Sequence, residues 1–188
     1  INVYSRNAPS ISGVQTVDNR INSVSSIAIV YYANGNNSII NNTVTTNNGN
    51  GIYMYYTDGN VSGNVVNITQ QGATAIVLSN SRHIVKDNVV STRGATSYGL
   101  SLVAGSGQIN NTIFNNNESG WITSDSSTNY TLSNTTFVTP NATVIFRPKL
   151  NVSGAFTVTR AKFNPGFNRV FLNSSKLTFI NTSAQITF

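Results

Sequence analysis

Apolar and polar positions repeat along this chain about every 23 residues, a period typical of folds built from stacked repeats. An asparagine recurs in this way at Asn19, Asn42, Asn64, Asn88, Asn111 and Asn134. The residue two positions later is an aliphatic β-branched residue in five of six cases, at Ile21, Val44, Val66, Val90, Ile113 and Thr136. A second apolar series keeps the same register, at Ile29, Ile52, Ile76, Leu100, Ile122 and Val144. Two series in one register predict a stack of similar turns, each with a bend followed by an inward-facing strand residue.

The six asparagines, which we call the asparagine ladder, are expected to build this stack. Equivalent residues of stacked strands lie about 4.8 Å apart. We expect each ladder asparagine to take the left-handed backbone conformation of a tight bend, which Asn tolerates better than other non-glycine residues. We also expect its amide to donate to one neighbouring asparagine and accept from the other, so that buried polar groups are satisfied. The ladder is therefore predicted to be part of the scaffold.

Composition supports an all-β fold. Ile and Val together number 36 against 7 Leu, which favours strands. Charged residues make up 9% of the chain, where a globular domain has about 25%. The chain has no cysteine, which excludes disulfides and thiolate metal sites. No apolar run approaches the roughly 18 residues of a membrane span, and the start at Ile1 fits a removed signal peptide or an excised fragment equally well.

Three segments are predicted: an N-terminal strand or cap at 1–13, a parallel β-helix at 14–140, and a further unit at 141–188. Eight of the nine Phe lie at or beyond Phe137, and six basic residues lie in the last unit: Arg147, Lys149, Arg160, Lys162, Arg169 and Lys176. Two-residue alternation predicts strands in this unit at 144–146, 156–158, 170–172, 177–179 and 186–188. These strands are expected to form a small antiparallel sheet whose apolar face needs a partner, or a capping unit for the coil.

Twelve N-x-S/T triplets are candidate sites for N-linked glycans. Glycans at these sites would hydrate a surface that has few charged residues. The alternative is that Asn, Ser and Thr are simply the turn residues of a repetitive β-fold. The acceptor asparagines are Asn36, Asn41, Asn60, Asn67, Asn110, Asn117, Asn129, Asn134, Asn141, Asn151, Asn173 and Asn181.

The segments SIINNTV, NVSGNVV, HIVKDNVV, QINNTIF and YTLSNTTF resemble the repeats of the right-handed parallel β-helix superfamily, of the NosD and pectate-lyase-like type. The resemblance covers about residues 14–140 and implies that fold. The superfamily includes polysaccharide lyases and hydrolases, phage tailspikes, adhesins and surface proteins of archaea. The resemblance therefore does not select a function by itself.

Enzymes of this superfamily usually use clustered acidic residues, sometimes with calcium, and this chain has five acids: Asp18, Asp58, Asp87, Glu118 and Asp125. Asp18 and Asp87 share a face but lie three turns apart, about 14 Å at the strand spacing. That separation is too large for a paired-carboxylate mechanism. Asp58 and Arg82 occupy equivalent places on successive turns and are expected to form an exposed ion pair. We therefore expect no enzyme activity, no metal and no cofactor.

Other candidate groups are weaker. His83 is the one histidine, and we expect it to be a solvated turn residue rather than a ligand or general base. Residues 105–107, with the sequence GSG, lack the helix and lysine of a phosphate loop and are interpreted as a bend. The basic C-terminal unit has no nucleic-acid motif, so its charges are expected to face solvent, an acidic glycan, an anionic lipid surface or a neighbouring subunit.

Tyrosines form one more cluster. Tyr31 and Tyr32 are predicted to align with Tyr55 and Tyr56 one turn later, with Tyr53 close by. Stacked tyrosines can bind sugar rings, contact another subunit, or pack as a plain surface ladder. All three roles remain open from the sequence.

A coil of this kind ends in exposed strand edges, which pair readily with another chain. The leading hypothesis is an extracellular or cell-surface structural glycoprotein, archaeal or otherwise prokaryotic, that assembles with copies of itself into a filament or surface layer. Strand donation by residues 1–6 would be one mechanism. The alternatives are a carbohydrate-binding adhesin or viral spike domain that uses the tyrosines, and a polysaccharide lyase. No nucleic-acid partner is expected.

Overall fold

The structure, a computed structural model, describes residues 1–4, 11–70, 72–93, 96–116, 122–124, 129–138, 143–145, 149–159, 162–164, 170–180 and 183–184. Within these ranges the chain forms strands and no helix. The strands stack as a parallel β-solenoid of about four turns of roughly 24 residues. The predicted all-β coil of parallel turns is confirmed.

Each turn up to residue 124 contributes one strand to a first parallel sheet. Its described strands, in order, are β1 (Asn2–Tyr4), β4 (Ile29–Tyr32), β7 (Ile52–Tyr55), β10 (Thr74–Ser79), β13 (Tyr98–Val103) and β16 (Ile122–Ser124). The register pairs Ile29 with Ile52, Ile52 with Ile76, Ile76 with Leu100, and Leu100 with Ile122. The second apolar series is therefore confirmed as far as Ile122.

Each turn contributes two strands, separated by a corner, to a second parallel sheet. The pairs are β2 (Gln15–Val17) and β3 (Arg20–Ser23), β5 (Asn36–Ile40) and β6 (Thr43–Thr46), β8 (Asp58–Ser62) and β9 (Val65–Ile68), β11 (Arg82–Lys86) and β12 (Val89–Thr92), and β14 (Ser106–Asn110) and β15 (Ile113–Asn116). The sheet continues with the long strands β17 (Asn129–Val138), β19 (Lys149–Thr159) and β21 (Val170–Ile180). Both β14 and β15 pair with β17, so the corner of the earlier turns becomes part of one continuous strand.

The strands beyond residue 140 pair in parallel, which corrects the expectation of a small antiparallel sheet. Strand β19 pairs with β17 and β21 pairs with β19, so both extend the second sheet. Three short strands form a third parallel sheet: β18 (Thr143–Ile145), β20 (Lys162–Asn164) and β22 (Ser183–Ala184). Val144 pairs there with Phe163. The strand predicted at 186–188 lies outside the described residues, and the division at 140 stays a prediction.

The core lies inside the coil and is filled by alternate residues of the strands. In β11, for example, His83 and Val85 are buried while Arg82, Ile84 and Lys86 are exposed. The largest fully buried side chains are Tyr31, Phe114, Ile29, Ile39, Ile52, Met54 and Ile68. Most of the core is β-branched, because such side chains pack well on a pleated sheet.

Candidate functional site

The asparagine ladder occupies the corner between the two strands of each turn. Asn42 donates its backbone N–H and its Nδ2 to Oδ1 of Asn64, at 2.9 and 3.1 Å. Its Nδ2 also donates to the carbonyls of Thr16 and Ile40, at 2.8 and 2.9 Å. Asn19 makes the same contacts to Asn42, at 3.0 Å each. The predicted chain of amides, each donating in one direction and accepting from the other, is confirmed here.

Asn64 lies in the middle of this network and is fully buried. Its backbone N–H and its Nδ2 donate to Oδ1 of Asn88, at 2.9 and 3.0 Å. The same Nδ2 also donates to the carbonyls of Ile39 and Ser62, at 2.9 and 3.1 Å. One side chain therefore satisfies polar groups on its own turn and on both neighbouring turns, which is what burial of a corner requires.

The left-handed backbone conformation belongs to the residue before the buried corner residue. This corrects our expectation for Asn19, Asn42, Asn64 and Asn88, whereas Asn111 has the conformation as expected. Positive φ angles occur at Asp18 (56°), Asn41 (55°), Gly63 (66°), Asp87 (57°) and Asn111 (47°). These positions follow one another along the corner, immediately ahead of the residue that points inward. Gly, Asn and Asp are the residues that accept this conformation at the lowest cost.

At the fifth turn the buried corner residue is a threonine instead of the predicted asparagine, which is a second correction. Val89 pairs with Ile113, so the residue opposite Asn88 is Thr112, which is buried, whereas Asn111 is exposed. The inward position opposite Val90 is likewise taken by Phe114 instead of Ile113, which is 40% exposed.

The same shift continues into the sixth turn. Ile113 pairs with Thr136, which places Thr135 opposite Thr112 and Asn134 opposite Asn111. Thr135 is fully buried. A threonine hydroxyl is a smaller hydrogen-bonding group than an amide. The corner is kept at Thr112, between β14 and β15, and straightens one turn later in β17, which contains Thr135.

The acidic residues within the described ranges are dispersed. Asp18 and Asp87 lie on one corner with Asn41 and Gly63 between them, as predicted. Asp87 Oδ1 accepts a hydrogen bond from Asn111 Nδ2 at 2.7 Å. No group of three His, Cys, Asp or Glu that could hold a metal ion occurs in the described part of the chain. Glu118 and Asp125 lie outside it.

Asp58 and Arg82 are register neighbours, as predicted. Asp58 Oδ1 accepts a hydrogen bond from the backbone N–H of Arg82 at 2.8 Å. This backbone contact takes the place of the expected ion pair, because the carboxylate lies at the start of its strand and close to the first N–H of the neighbouring one.

His83 is fully buried, which corrects its interpretation as a solvated turn residue. It lies in β11 and pairs in register with Gly59 and Gly107, residues that leave space above and below it. Burial lowers the pKa of His83 to about 4, although Asp58 and a backbone hydrogen bond to Thr57 act in the opposite direction. The signal for burial was present in the sequence, because His83 lies two residues from the apolar Val85 on the same face. The bend lies at Ala104, one residue before the predicted segment, and Ser106 and Gly107 begin β14, which corrects the interpretation of 105–107 as a bend.

Four tyrosines form a cluster on the outer face of the first sheet, which we call the tyrosine surface: Tyr32, Tyr53, Tyr55 and Tyr56. Tyr32 and Tyr55 are register partners and stack with ring centroids 4.9 Å apart and planes 23° apart. Tyr53 lies nearly parallel to Tyr55 at 6.0 Å, and Tyr56 meets Tyr55 edge to face at 4.2 Å. A hydrogen bond with Tyr56 is the main cause that raises the pKa of Tyr55 to about 12.

Tyr31 does not belong to the tyrosine surface, because the register of this turn aligns Tyr55 with Tyr32 instead. Tyr31 pairs with Met54 and is fully buried. Its hydroxyl shares a hydrogen bond of 2.9 Å with Oγ1 of Thr16 across the inside of the coil. Burial raises the pKa of Tyr31, and the hydrogen bond with Thr16 partly offsets this rise.

Replacing Tyr31 with phenylalanine is expected to lower the free energy of unfolding by about 1 kcal/mol, because Thr16 loses its buried partner while the ring stays in place. Urea denaturation followed by circular dichroism measures the change. Tyr56→Phe is the matched control, since Tyr56 is 43% exposed, and it is expected to change stability by less than about 0.5 kcal/mol. Equal effects of both substitutions would contradict the assignment of Tyr31 to the core.

The glycosylation candidates differ in exposure. Asn36, Asn41 and Asn110 are exposed, whereas Asn60 and Asn67 are half-buried within strands. The backbone of four others lies in strands: Asn129 and Asn134 in β17, Asn151 in β19 and Asn173 in β21. Three candidates, Asn117, Asn141 and Asn181, lie outside the described residues.

The fold and these surfaces define a parallel β-solenoid protein. The chain matches no protein-family model, no curated protein and no solved structure. In the part of the chain that the structure describes, no helix is long and apolar enough to span a membrane.

Proposed function

We propose that this protein is an extracellular or cell-surface structural glycoprotein that assembles with copies of itself into a filament or surface layer. The observation that carries the proposal is the way the second sheet ends. Among the described strands, β2 and β3 are paired on one side, and β21 at the opposite end is also paired on one side. Strand edges of this kind present rows of backbone donors and acceptors, which are satisfied by pairing with another chain.

The interior and surface chemistry support a scaffold rather than a catalyst. The buried polar groups of the ladder are held by hydrogen bonds within and between turns, as at Asn42 and Asn64. The acids within the described ranges are single residues on separate turns. Resemblance of the repeats to the NosD and pectate-lyase-like superfamily, which includes archaeal surface proteins, supports an archaeal or otherwise prokaryotic source.

Covalent N-glycans are part of the proposal. The chain has only 9% charged residues, and the exposed acceptors Asn36, Asn41 and Asn110 are placed where a glycan would extend into solvent. Glycans at these positions would hydrate a surface that is otherwise rich in amides and hydroxyls.

Electron microscopy of the purified native protein at increasing concentration tests the proposal, and regular fibres or lattices are the expected result. The intact mass of the same sample is expected to fall on deglycosylation. Stable monomers at high concentration would contradict self-assembly, and an unchanged mass would contradict the glycan component.

Carbohydrate binding by the tyrosine surface is the second candidate. It is favoured by four neighbouring tyrosines, of which Tyr56 is 43% exposed. The stacking of Tyr32 on Tyr55 makes it the weaker candidate, because those ring faces are already used and sugar rings bind to open faces. Binding to a glycan array by a monomer, lost on Tyr56→Ala, would favour this second candidate over assembly.

A further inference from the structure

We propose that copies of this protein stack head to tail, with β21 of one copy pairing in parallel with β2 and β3 of the next. This inference rests on the proposed function and specifies the partner and the register of the contact. The occupant of the open β2–β3 edge is therefore a second copy of this chain.

The open edge is defined by the direction of the backbone hydrogen bonds. Next to the two ends of β2, the carbonyl of Val14 accepts from the N–H of Ser38 and the N–H of Asp18 donates to the carbonyl of Ile40, at 2.9 and 3.1 Å. Backbone groups of alternate residues in a strand point to opposite sides. Gln15 and Val17 therefore direct their N–H and C=O groups away from β5.

The same alternation applies to β3. The carbonyl of Asn19 accepts from Thr43 at 2.8 Å, and that of Ser23 accepts from Asn47 at 3.1 Å. Arg20 and Asn22 therefore direct their backbone groups away from β6. Together, β2 and β3 present one bent row of donors and acceptors that point away from β5 and β6. The carbonyl of Val17 in this row accepts from Asn19 Nδ2 at 2.8 Å, and the equivalent carbonyl of Ile40 accepts both Asn42 Nδ2 and a backbone N–H of the preceding turn.

The molecule itself contains a contact of the required kind. The bent pair β14 and β15 lies on the single continuous strand β17, which has 10 residues. Strand β21 has 11 residues and is also continuous. A continuous strand of this length can therefore cover both halves of a bent pair of strands, as β17 does.

The register of the contact follows from the columns of paired residues. One column, buried from Thr16 to Ile109, passes through Thr16, Ile39, Val61, Val85, Ile109, Leu132, Val152 and Leu172. A second column, buried from Val44 to Phe114, passes through Ile21, Val44, Val66, Val90, Phe114, Phe137, Val158 and Phe179. Stacking that places Leu172 opposite Thr16 continues the first column across the junction. Phe179 lies seven positions after Leu172 whereas Ile21 lies five positions after Thr16, because β19 and β21 each carry a register shift. A further bulge in β21 is therefore required to place Phe179 opposite Ile21 and continue the second column.

The open end gains both apolar and polar contacts from this arrangement. Ile21 is partly buried at the edge, whereas Val44 in the same column is fully buried. At Asn42, Asn64 and Asn88, Oδ1 accepts N–H groups from the preceding turn. Asn19 occupies the equivalent position at the open edge. A strand of the neighbouring copy would bring N–H groups that can donate to Oδ1 of Asn19.

Head-to-tail contacts join two different surfaces, and they form an open filament unless the rotation between copies closes a ring; stacking along the solenoid axis adds copies without such closure. Each added copy presents the same free edge as the one before it. The result is a filament in which the solenoid axis continues from one copy to the next.

Cysteine cross-linking tests the register, because the chain has no cysteine of its own. Asn173 stands in the column of Val17. Neighbouring in-register Cα atoms lie about 5 Å apart, within the range of a disulfide. Mixing the Val17→Cys protein with the Asn173→Cys protein under mild oxidation is expected to give a covalent dimer on a non-reducing gel. Each variant alone is expected to stay uncross-linked, because this contact never joins identical residues.

The off-register control is Val17→Cys mixed with Thr178→Cys, which is expected to give much less dimer. A second test compares Gln15→Pro with Gln15→Ala. Proline removes an N–H directed at the open edge, so it is expected to abolish assembly while the alanine variant still assembles and both keep their melting temperature.

The outcomes separate this inference from the proposed function. Fibres without the in-register cross-link, or fibres that survive Gln15→Pro, would overturn the β21 contact while leaving self-assembly intact. A protein that neither assembles nor cross-links at any concentration would overturn both.

Discussion

Replacing Asn64 with alanine is expected to lower the free energy of unfolding by about 3–5 kcal/mol. The substitution removes the acceptor of two hydrogen bonds from Asn42. It also removes the donor to the carbonyls of Ile39 and Ser62 and to Oδ1 of Asn88. The backbone N–H of Asn42 is left in the buried corner without this acceptor, and an unsatisfied buried polar group costs about 1–3 kcal/mol. Nδ2 of Asn42, the carbonyl of Ser62 and Oδ1 of Asn88 each lose one hydrogen bond and keep another.

Urea denaturation of the purified variants measures this effect. Asn67→Ala is the matched control, because Asn67 lies in the adjacent strand but is half-buried on the outer side, and its loss is expected to cost less than about 0.5 kcal/mol. Asn64→Thr is expected to fall between the two, since threonine already occupies this corner at Thr112. Similar midpoints for Asn64→Ala and Asn67→Ala would show that the ladder does not stabilise the coil.

Acidification from about pH 6.5 to about pH 4 is expected to reduce stability by about 3 kcal/mol through His83 alone. The pKa of His83 in the folded protein is about 4, below the value of about 6.5 for an unfolded chain. Well above the unfolded value the side chain is neutral in both states, and its contribution to stability is complete. As the pH falls through this window the unfolded chain takes up the proton first, so the equilibrium shifts toward unfolding.

Thermal unfolding at a series of pH values between neutrality and the pKa of folded His83 tests this prediction. His83→Asn removes the titrating group and uses a residue that occurs in the same column, because Asn37 pairs with Gly59 and Gly59 pairs with His83. The variant is expected to lose much less stability over the same pH window. An equally steep loss in the variant would assign the effect to the carboxylates.

The turn architecture was predictable from the sequence because two series of residues agreed. The series from Ile29 to Ile122 pairs in the structure as predicted. The amide contacts of Asn19, Asn42 and Asn64 are confirmed as well. Inward apolar positions and buried amide positions each accept few residue types. Their spacing is therefore visible in the sequence.

The shift at the fifth turn was not predictable from spacing. Asparagine is favoured at two adjacent corner positions, one for its tolerance of positive φ and one for its amide. Where the chain reads Asn110, Asn111, Thr112, the sequence does not distinguish the left-handed position from the ladder position. The structure does, because Asn111 has φ of 47° and Thr112 is buried.

The tyrosine alignment failed for a related reason. Successive turns differ slightly in length, since Tyr32 pairs with Tyr55 and Tyr55 pairs with Ser79. A one-residue change in register moves a side chain to the opposite face of a strand, so Tyr31 is in the core while Tyr32 is on the surface. Two adjacent tyrosines give the sequence no means of choosing between these assignments.

The hydrogen bonds between turns run along the axis of the coil, and this direction determines how the molecule responds to tension. A pull on one end loads only the outermost turn, because each turn touches just the turns above and below it. The chain should peel off one turn at a time, and each step would release about 80 Å of extended polypeptide from roughly 24 residues. Such a molecule unfolds in many small steps as it is stretched, instead of unfolding as a whole at a single force.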